Sequence, residues 1–268
     1  MLNLIGKGEL TIISNVKVAC GHVGGGGSME KMCGGRIQEL QREIYECSNC
    51  KEDIELWEEQ VIPEHGLSPK WGWWFRNKFP CQADVGYVFF EYDGRSEYVF
   101  VALRPSTAWV FDTADFFLAN ALKACGLVRE VFKLEGDTFV FYEGCFVTDL
   151  IKCRRKAKDV GKNVPSPCLH FLREELEIVR ACSGKEPKVI AIGKGTRDIL
   201  WRYRNKLGIR SWNRFKRKEE APRIYFHSYA EWRGEKKDVK RRKTFEKYVK
   251  DIKKEMKKFG NRNLQVLH

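Results

Sequence analysis

Cys145-Phe146-Val147-Thr148-Asp149-Leu150-Ile151-Lys152-Cys153 is the stretch from which the rest of the chain is read. Phe146, Val147, Leu150 and Ile151 predict a buried strand. Thr148-Asp149 closes that strand, at the end where open α/β sheets place their chemistry. A basic loop follows, Arg154-Arg155-Lys156-Ala157-Lys158, passing through Pro165 and Pro167 to Cys168, which opens a helix. Upstream lies a second pair of thiols, Cys47-Ser48-Asn49-Cys50. Cys47, Cys50, Cys153 and Cys168 together suggest a metal centre that clips the N-terminal region onto the middle of the chain. Two thiols plus one plus one differs from the paired knuckles of a zinc ribbon. The spacing favours an iron–sulfur cubane, with zinc and no metal as the other readings.

The 268 residues, 43% of them hydrophobic, suffice for one large core with a short extension. A formal net charge of +13 points to a polyanionic partner, nucleic acid before membrane. No run of about 18 apolar residues is present, which excludes a transmembrane helix. No signal peptide stands out, so the expected location is cytoplasmic, and ten cysteines there favour metal ligation over a disulfide framework. Abundant Lys and Glu fit a thermophile, in which intracellular disulfides do occur.

Outward from the central stretch, residues 1–35 read as an N-terminal extension built around Gly24-Gly25-Gly26-Gly27-Ser28. It is either a disordered tail or translated sequence upstream of a start at Met29 or Met32. Ile37, Leu40 and Ile44 recur at helical spacing. Trp71-Gly72-Trp73-Trp74-Phe75-Arg76 either packs on its own domain, the commoner case, or stacks on nucleobases. Residues 85–92 and 98–103 are β-rich runs about Asp93-Gly94-Arg95-Ser96, a hairpin signal. Thr113 starts a helix that ends near Gly126, and further strands fall around 138–142, 145–151, 187–193 and 223–227. Helices follow Cys168 and precede Tyr203. The last helix, about 238–259, gathers Phe245, Val249, Ile252, Met256 and Phe259 on one face. Strands alternating with helices predict a three-layer α/β/α sandwich with a mostly parallel central sheet.

These motifs, taken in order, resemble the iron–sulfur branch of the uracil-DNA glycosylase superfamily (thermophilic and archaeal, family-four-like), of which the chain looks like a divergent member. The likeness rests on Cys47-Ser48-Asn49-Cys50, Thr148-Asp149-Leu150-Ile151-Lys152-Cys153, Arg154-Arg155, Cys168, Pro187-Lys188-Val189-Ile190-Ala191-Ile192-Gly193 and Phe226-His227-Ser228-Tyr229. It spans about residues 36–232, leaving 233–268 as a basic C-terminal helix packed on the domain. The four cysteines together with the motif order are specific; each motif alone is weak. Arg104-Pro105-Ser106 takes the place of the family's Gly-Glu-Gly-Pro-Gly, Asp149 that of its base-reading Asn, and Ser228 that of the Pro after the His.

The resemblance implies a DNA glycosylase of base excision repair, a monomer holding a 4Fe-4S cluster on Cys47, Cys50, Cys153 and Cys168. An extruded deaminated or damaged base, uracil or a relative, would stack on Phe111 beside Pro105, Ser106 and Ser228 and be read at its edge by Asp149. His227 would donate a hydrogen bond to the carbonyl oxygen of the leaving base. An ionised Asp149 accepts only and suits an amino-bearing edge; protonated, it mimics an amide and accepts uracil. It is also a candidate general base toward water. The plainer readings are an N-cap or a salt bridge to Lys152 or Arg154 for Asp149, and an ordinary core histidine for His227. DNA phosphate would meet Arg154, Arg155, Lys156, Tyr229, Arg233, Lys240, Arg241 and Arg242. Residues 233–258 hold thirteen Lys or Arg against five Asp or Glu, a local net of +8, though such a run is also the solvated face of many helices. The alternative is a catalytically inactive 4Fe-4S DNA-binding protein of the same fold.

Overall fold

The computed structural model describes residues 35–37, 39–40, 42–44, 47, 81–83, 86–103, 113–133, 139–152, 164–225 and 237–260. In chain order the strands are β1 (Cys81–Ala83), β2 (Gly86–Tyr92), β3 (Tyr98–Ala102), β4 (Val128–Lys133), β5 (Phe139–Gly144), β6 (Phe146–Asp149), β7 (Lys188–Ile192) and β8 (Arg223–Ile224). The helices are α1 (Thr113–Ala124), α2 (Ser166–Ser183), α3 (Lys194–Tyr203) and α4 (Lys237–Lys257). Residues 35–37, 39–40 and 42–44 are also helical.

Strands β6, β3, β7 and β8 lie in that order and are parallel throughout. The other sheet, β1-β2-β5-β4, is mixed: β2 and β5 run parallel, while β1 and β4 are antiparallel to their neighbours. The architecture is therefore α/β with mostly parallel pairing. The apolar runs Tyr98-Val99-Phe100-Val101-Ala102 and Val189-Ile190-Ala191-Ile192 are buried at every residue, as parallel strands covered on both faces require. Alternate residues feed two separate cores. Val99, Val101, Phe146, Val189 and Ala191 join Leu169, Leu172 and Val179 of α2, Ile199 and Leu200 of α3, and Ile37, Leu40 and Ile44. Phe100, Ala102, Val147, Ile190, Ile192 and Ile224 join Leu118, Ala121 and Leu122 of α1 and Tyr248, Ile252 and Met256 of α4. Each such buried Val, Leu, Ile, Phe or Met side chain contributes about 1.5–3 kcal/mol over its exposed state.

The apolar stripe of the last helix is as expected, with Phe245, Val249 and Phe259 at the margin of the second core. The hairpin is not. Strand β2 pairs with β5 and β3 pairs with β6 and β7, so the intervening residues carry the chain from one sheet to the other. Asp93 Oδ1 accepts the amides of Arg95 (2.8 Å) and Ser96 (2.9 Å), and Gly94 sits at φ +73°, which is turn chemistry that serves either connection. The same transfer recurs between β5 and β6. Tyr92 is registered with Gly144 in the mixed sheet, and Val99 with Phe146 in the parallel one. A Cβ on Gly144 would lie 2.2 Å from Leu127 O and 2.7 Å from Val128 Cα, so only glycine fits at this crossing.

Three features of this topology position the site. From β6 the chain crosses through α2 to β7 on the far side of β3, which makes β3 the topological switch point. The carboxyl ends of the four parallel strands, at Ala102, Asp149, Ile192 and Ile224, consequently share one edge. Helix α4 runs antiparallel to β8: Glu255 Oε2 accepts the Arg223 amide at 3.1 Å, whereas Lys247 Nζ lies over the Tyr225 ring, 3.9 Å from its centroid.

Candidate active site

Asp149 is the last residue of β6, wholly buried and registered with Ala102 of the switch strand. The ladder continues past the strand, since Leu150 N donates to Ala102 O (2.8 Å) and Ile151 N to Leu103 O (3.0 Å). This fixes the backbone of the predicted base-reading position from both sides. Its neighbour Thr148, of opposite parity, faces α2 and enters a buried polar network. Thr148 Oγ1 donates to Glu175, whose two carboxylate oxygens both lie 3.0 Å away. Lys152 Nζ donates to Thr148 Oγ1 (2.8 Å), to the main-chain carbonyl of Asp149 (2.6 Å) and to Glu175 Oε2 (2.6 Å).

Burial pushes the Glu175 carboxyl above its usual range, with the Lys152 ammonium and the Thr148 hydroxyl drawing it back and the nearby Asp149 adding to the rise. The expected alternative role of Lys152, a salt bridge to the Asp149 side chain, is thus corrected. The ammonium pairs with Glu175 and holds Asp149 through its carbonyl. What the arrangement does chemically is keep a hydrogen-bonded Lys152–Glu175–Thr148 clamp under the strand end while Asp149 itself lies at the opposite parity. Glu175 was missed in the sequence, although its spacing placed it on the buried stripe, three residues after Leu172 and four before Val179.

Of the four predicted thiolate ligands, Cys47 and Cys168 are described. Cys168 is buried in the first turn of α2, behind Pro165 and Pro167, and Cys47 packs against the same core, its amide donating to Ile44 O at 3.2 Å. Both belong to the core that α2 covers, so this half of the donor set lies on one side of the parallel sheet. Cys50 and Cys153 lie outside the described residues. Among the described residues no group of three or more His, Cys, Asp or Glu is placed to hold a metal. Cys182, on the last turn of α2, is disulfide-bonded. Cys125 and Cys145 are buried in the second core, where desolvation lifts the Cys125 thiol to about 11 and the Cys145 thiol further still.

Pro105, Ser106, Phe111, Arg154, Arg155, Lys156, His227, Ser228, Tyr229 and Arg233 lie outside the described residues, as does the cluster from Trp71 to Arg76. Lys240, Arg241 and Arg242 fall on turns of α4, with their side chains outside the description. Asn120, in α1, accepts from Tyr142 Oη at 3.5 Å. No described helix is long and apolar enough to cross a membrane. Compared with protein-family models and with curated proteins, the chain matches none.

Proposed function

We propose that this chain is a DNA glycosylase of base excision repair, built as a three-layer α/β/α domain with a 4Fe-4S cluster, that hydrolyses the N-glycosidic bond of an extruded base. One observation carries the reading: the carboxyl edge of the parallel sheet. Three of the four strands that end there carry or lead at once into a candidate residue: β3 runs into Arg104-Pro105-Ser106, β6 closes on Asp149 and β8 runs into Phe226-His227. Cleaving the bond builds positive charge on the sugar and negative charge on the departing base. His227 donates a hydrogen bond to the base carbonyl that gains charge. Phe111 stacks on the base, and Asp149, its carbonyl held by Lys152, reads the base edge.

Cys47, Cys50, Cys153 and Cys168 would hold the cluster, which would act as a structural clip pinning the 154–167 loop, whose arginines and lysines then face DNA phosphate. Anaerobically purified protein is expected to be brown; a colourless, zinc-loaded preparation rules the cluster out. A second reading, a DNA-binding protein without activity, is favoured by one observation, that Arg104-Pro105-Ser106 carries no acid or amide to place the attacking water. Single- and double-stranded oligonucleotides bearing uracil, hypoxanthine, xanthine or 5-hydroxymethyluracil separate the two. Alkali-labile sites that disappear in Asp149→Ala and His227→Ala identify the enzyme, and tight binding with no product on any lesion identifies the binding protein.

A further inference from the structure

A second basic tract lies away from the carboxyl edge. Between 202 and 218 the sequence holds eight Lys or Arg and no Asp or Glu. All but Arg204 are exposed, while Leu207, Ile209 and Trp212 between them are buried. Trp212 Nε1 donates to Val189 O at 2.8 Å, which anchors the segment to β7. The charge is therefore displayed from a fixed scaffold. Some of it is used locally: Arg204 stacks 4.2 Å over Trp201, Lys218 pairs loosely with Asp198 at 3.9 Å, and Arg214 donates to Lys258 O at 2.9 Å. Among the described residues Arg210, Lys216 and Arg217 form no ion pair. Within the segment the charges are all of one sign, with Asp198, Glu177 and Glu219 as acidic neighbours beside it.

The tract is joined to α4. Besides the Arg214 bond, Lys258 Nζ donates to Glu220 O at 3.0 Å, and the Phe215 and Phe259 rings meet at 6.4 Å. Lys250, Lys254 and Lys257 are exposed along the helix, at the three- and four-residue spacing of one face. Because α4 is antiparallel to β8, its first turns, with Lys240, Arg241 and Arg242, lead toward the carboxyl edge, and its last turns reach the 202–218 segment. Helix α4 thus spans from one edge of the parallel sheet toward the other, with Lys250, Lys254 and Lys257 exposed on its described part. The helix has 21 residues, about 31 Å at 1.5 Å each, or roughly nine base pairs at 3.4 Å.

We infer that α4 and the 202–218 segment form one phosphate-binding track, which takes nucleic acid flanking the target nucleotide across the side of the domain to its amino-terminal edge. This rests on the nucleic-acid reading above and extends its footprint to a surface that reading does not use. Its occupant is a regularly spaced polyanion of at least one helical turn, and duplex DNA has that spacing.

The test compares lesion-free duplexes of about 6 and 20 base pairs, titrated over a range of salt, with wild-type protein, R210A/K216A/R217A and the charge-keeping R210K/K216R/R217K. The wild type is expected to bind the long duplex more tightly and with the steeper salt slope. The alanine variant loses that advantage, at least about tenfold at low salt, and its slope falls by up to about three, near 0.9 per phosphate released. The charge-keeping variant retains both. All three side chains are exposed, so melting temperature is expected to stay at the wild-type value, separating lost contact from lost fold. Wild-type affinity and slope in the alanine variant overturn the inference while leaving the glycosylase reading intact. Loss of binding to phosphatidylserine vesicles, with duplex binding unchanged, overturns it in favour of a membrane surface. A wild-type chain that binds no duplex at any salt brings down the nucleic-acid reading itself, and this inference with it.

Discussion

Lys152 Nζ stands 2.6 Å from Glu175 Oε2, and the two side chains are only 3% and 6% exposed. This pair joins the turn after β6 to the middle of α2 directly beneath the predicted base-reading residue. Removing one partner strands a charge, whereas removing both does not. Lys152→Met is expected to cost about 3–5 kcal/mol in urea unfolding, and Lys152→Met with Glu175→Leu to recover most of it. Equal losses in the single and double variants would show that the pair adds no coupling.

The same variant has a pH signature. Burial holds the Glu175 carboxyl above its ordinary value, and Lys152 restrains that rise. A carboxyl whose folded pKa is raised contributes stability that is present below the unfolded value and lost as pH climbs through the folded one. Without Lys152 the rise is unopposed. The stability gap between wild type and Lys152→Met is therefore expected to be small below pH 4.5 and to widen toward neutrality, as followed by melting temperature.

Glu97 behaves in the opposite sense. Desolvation raises its pKa, but the hydrogen bond and charge of Lys188, with the charge of Lys185, outweigh it and leave the carboxyl below its usual value. Lys188 Nζ lies 2.9 Å from Glu97 Oε1 and ties the entry of β3 to the start of β7. This contribution is present above the unfolded pKa and lost as pH falls through the folded one. Glu97→Gln is expected to cost up to about 1 kcal/mol at neutral pH, with no difference from wild type in strong acid.

Gly144→Ala puts a methyl against the Leu127 carbonyl and Val128 Cα, which are backbone atoms that cannot swing aside. A loss of about 3 kcal/mol or more is expected in denaturant unfolding. A variant as stable as wild type would mean that β5 and β6 are joined differently.

If Cys47 and Cys168 are ligands, Cys47→Ser and Cys168→Ser are expected to lose bound iron when purified anaerobically, whereas Cys125→Ser, in the other core, keeps it. Iron and sulfide assays decide the matter, and equal iron in all three variants refutes the assignment.

The parts of this molecule that announce themselves in sequence are those whose burial is local and periodic. Val99 to Ala102 and Val189 to Ile192 are apolar at every residue, and Tyr248, Ile252 and Met256 recur every four. Strand β4 hid its pairing behind the charges of Arg129, Glu130 and Lys133. Asp93-Gly94 specified a turn correctly, but turn chemistry does not name the partner of the strand that follows. Glu175 was illegible because only the folded chain brings Lys152 and Thr148 to it from 23 and 27 residues away. The 202–218 tract escaped notice because its charges are interleaved with core residues.

The neighbours of β3 also set an order of events. It leaves the ribosome early, yet its partner β7 lies about 90 residues further along, with Tyr98 registered to Lys188. The buried Glu255 that accepts the Arg223 amide comes later still. Closing such long loops carries an entropic cost before any pairing rewards it, and parallel strands of this separation form slowly. The nascent sheet therefore keeps the apolar face that α4 covers open until that helix is made. A chain cut short before residue 248 would lack the side chains that complete its second core. The basic helix cannot be deleted as an appendage, and variants that test the proposed binding have to change single side chains.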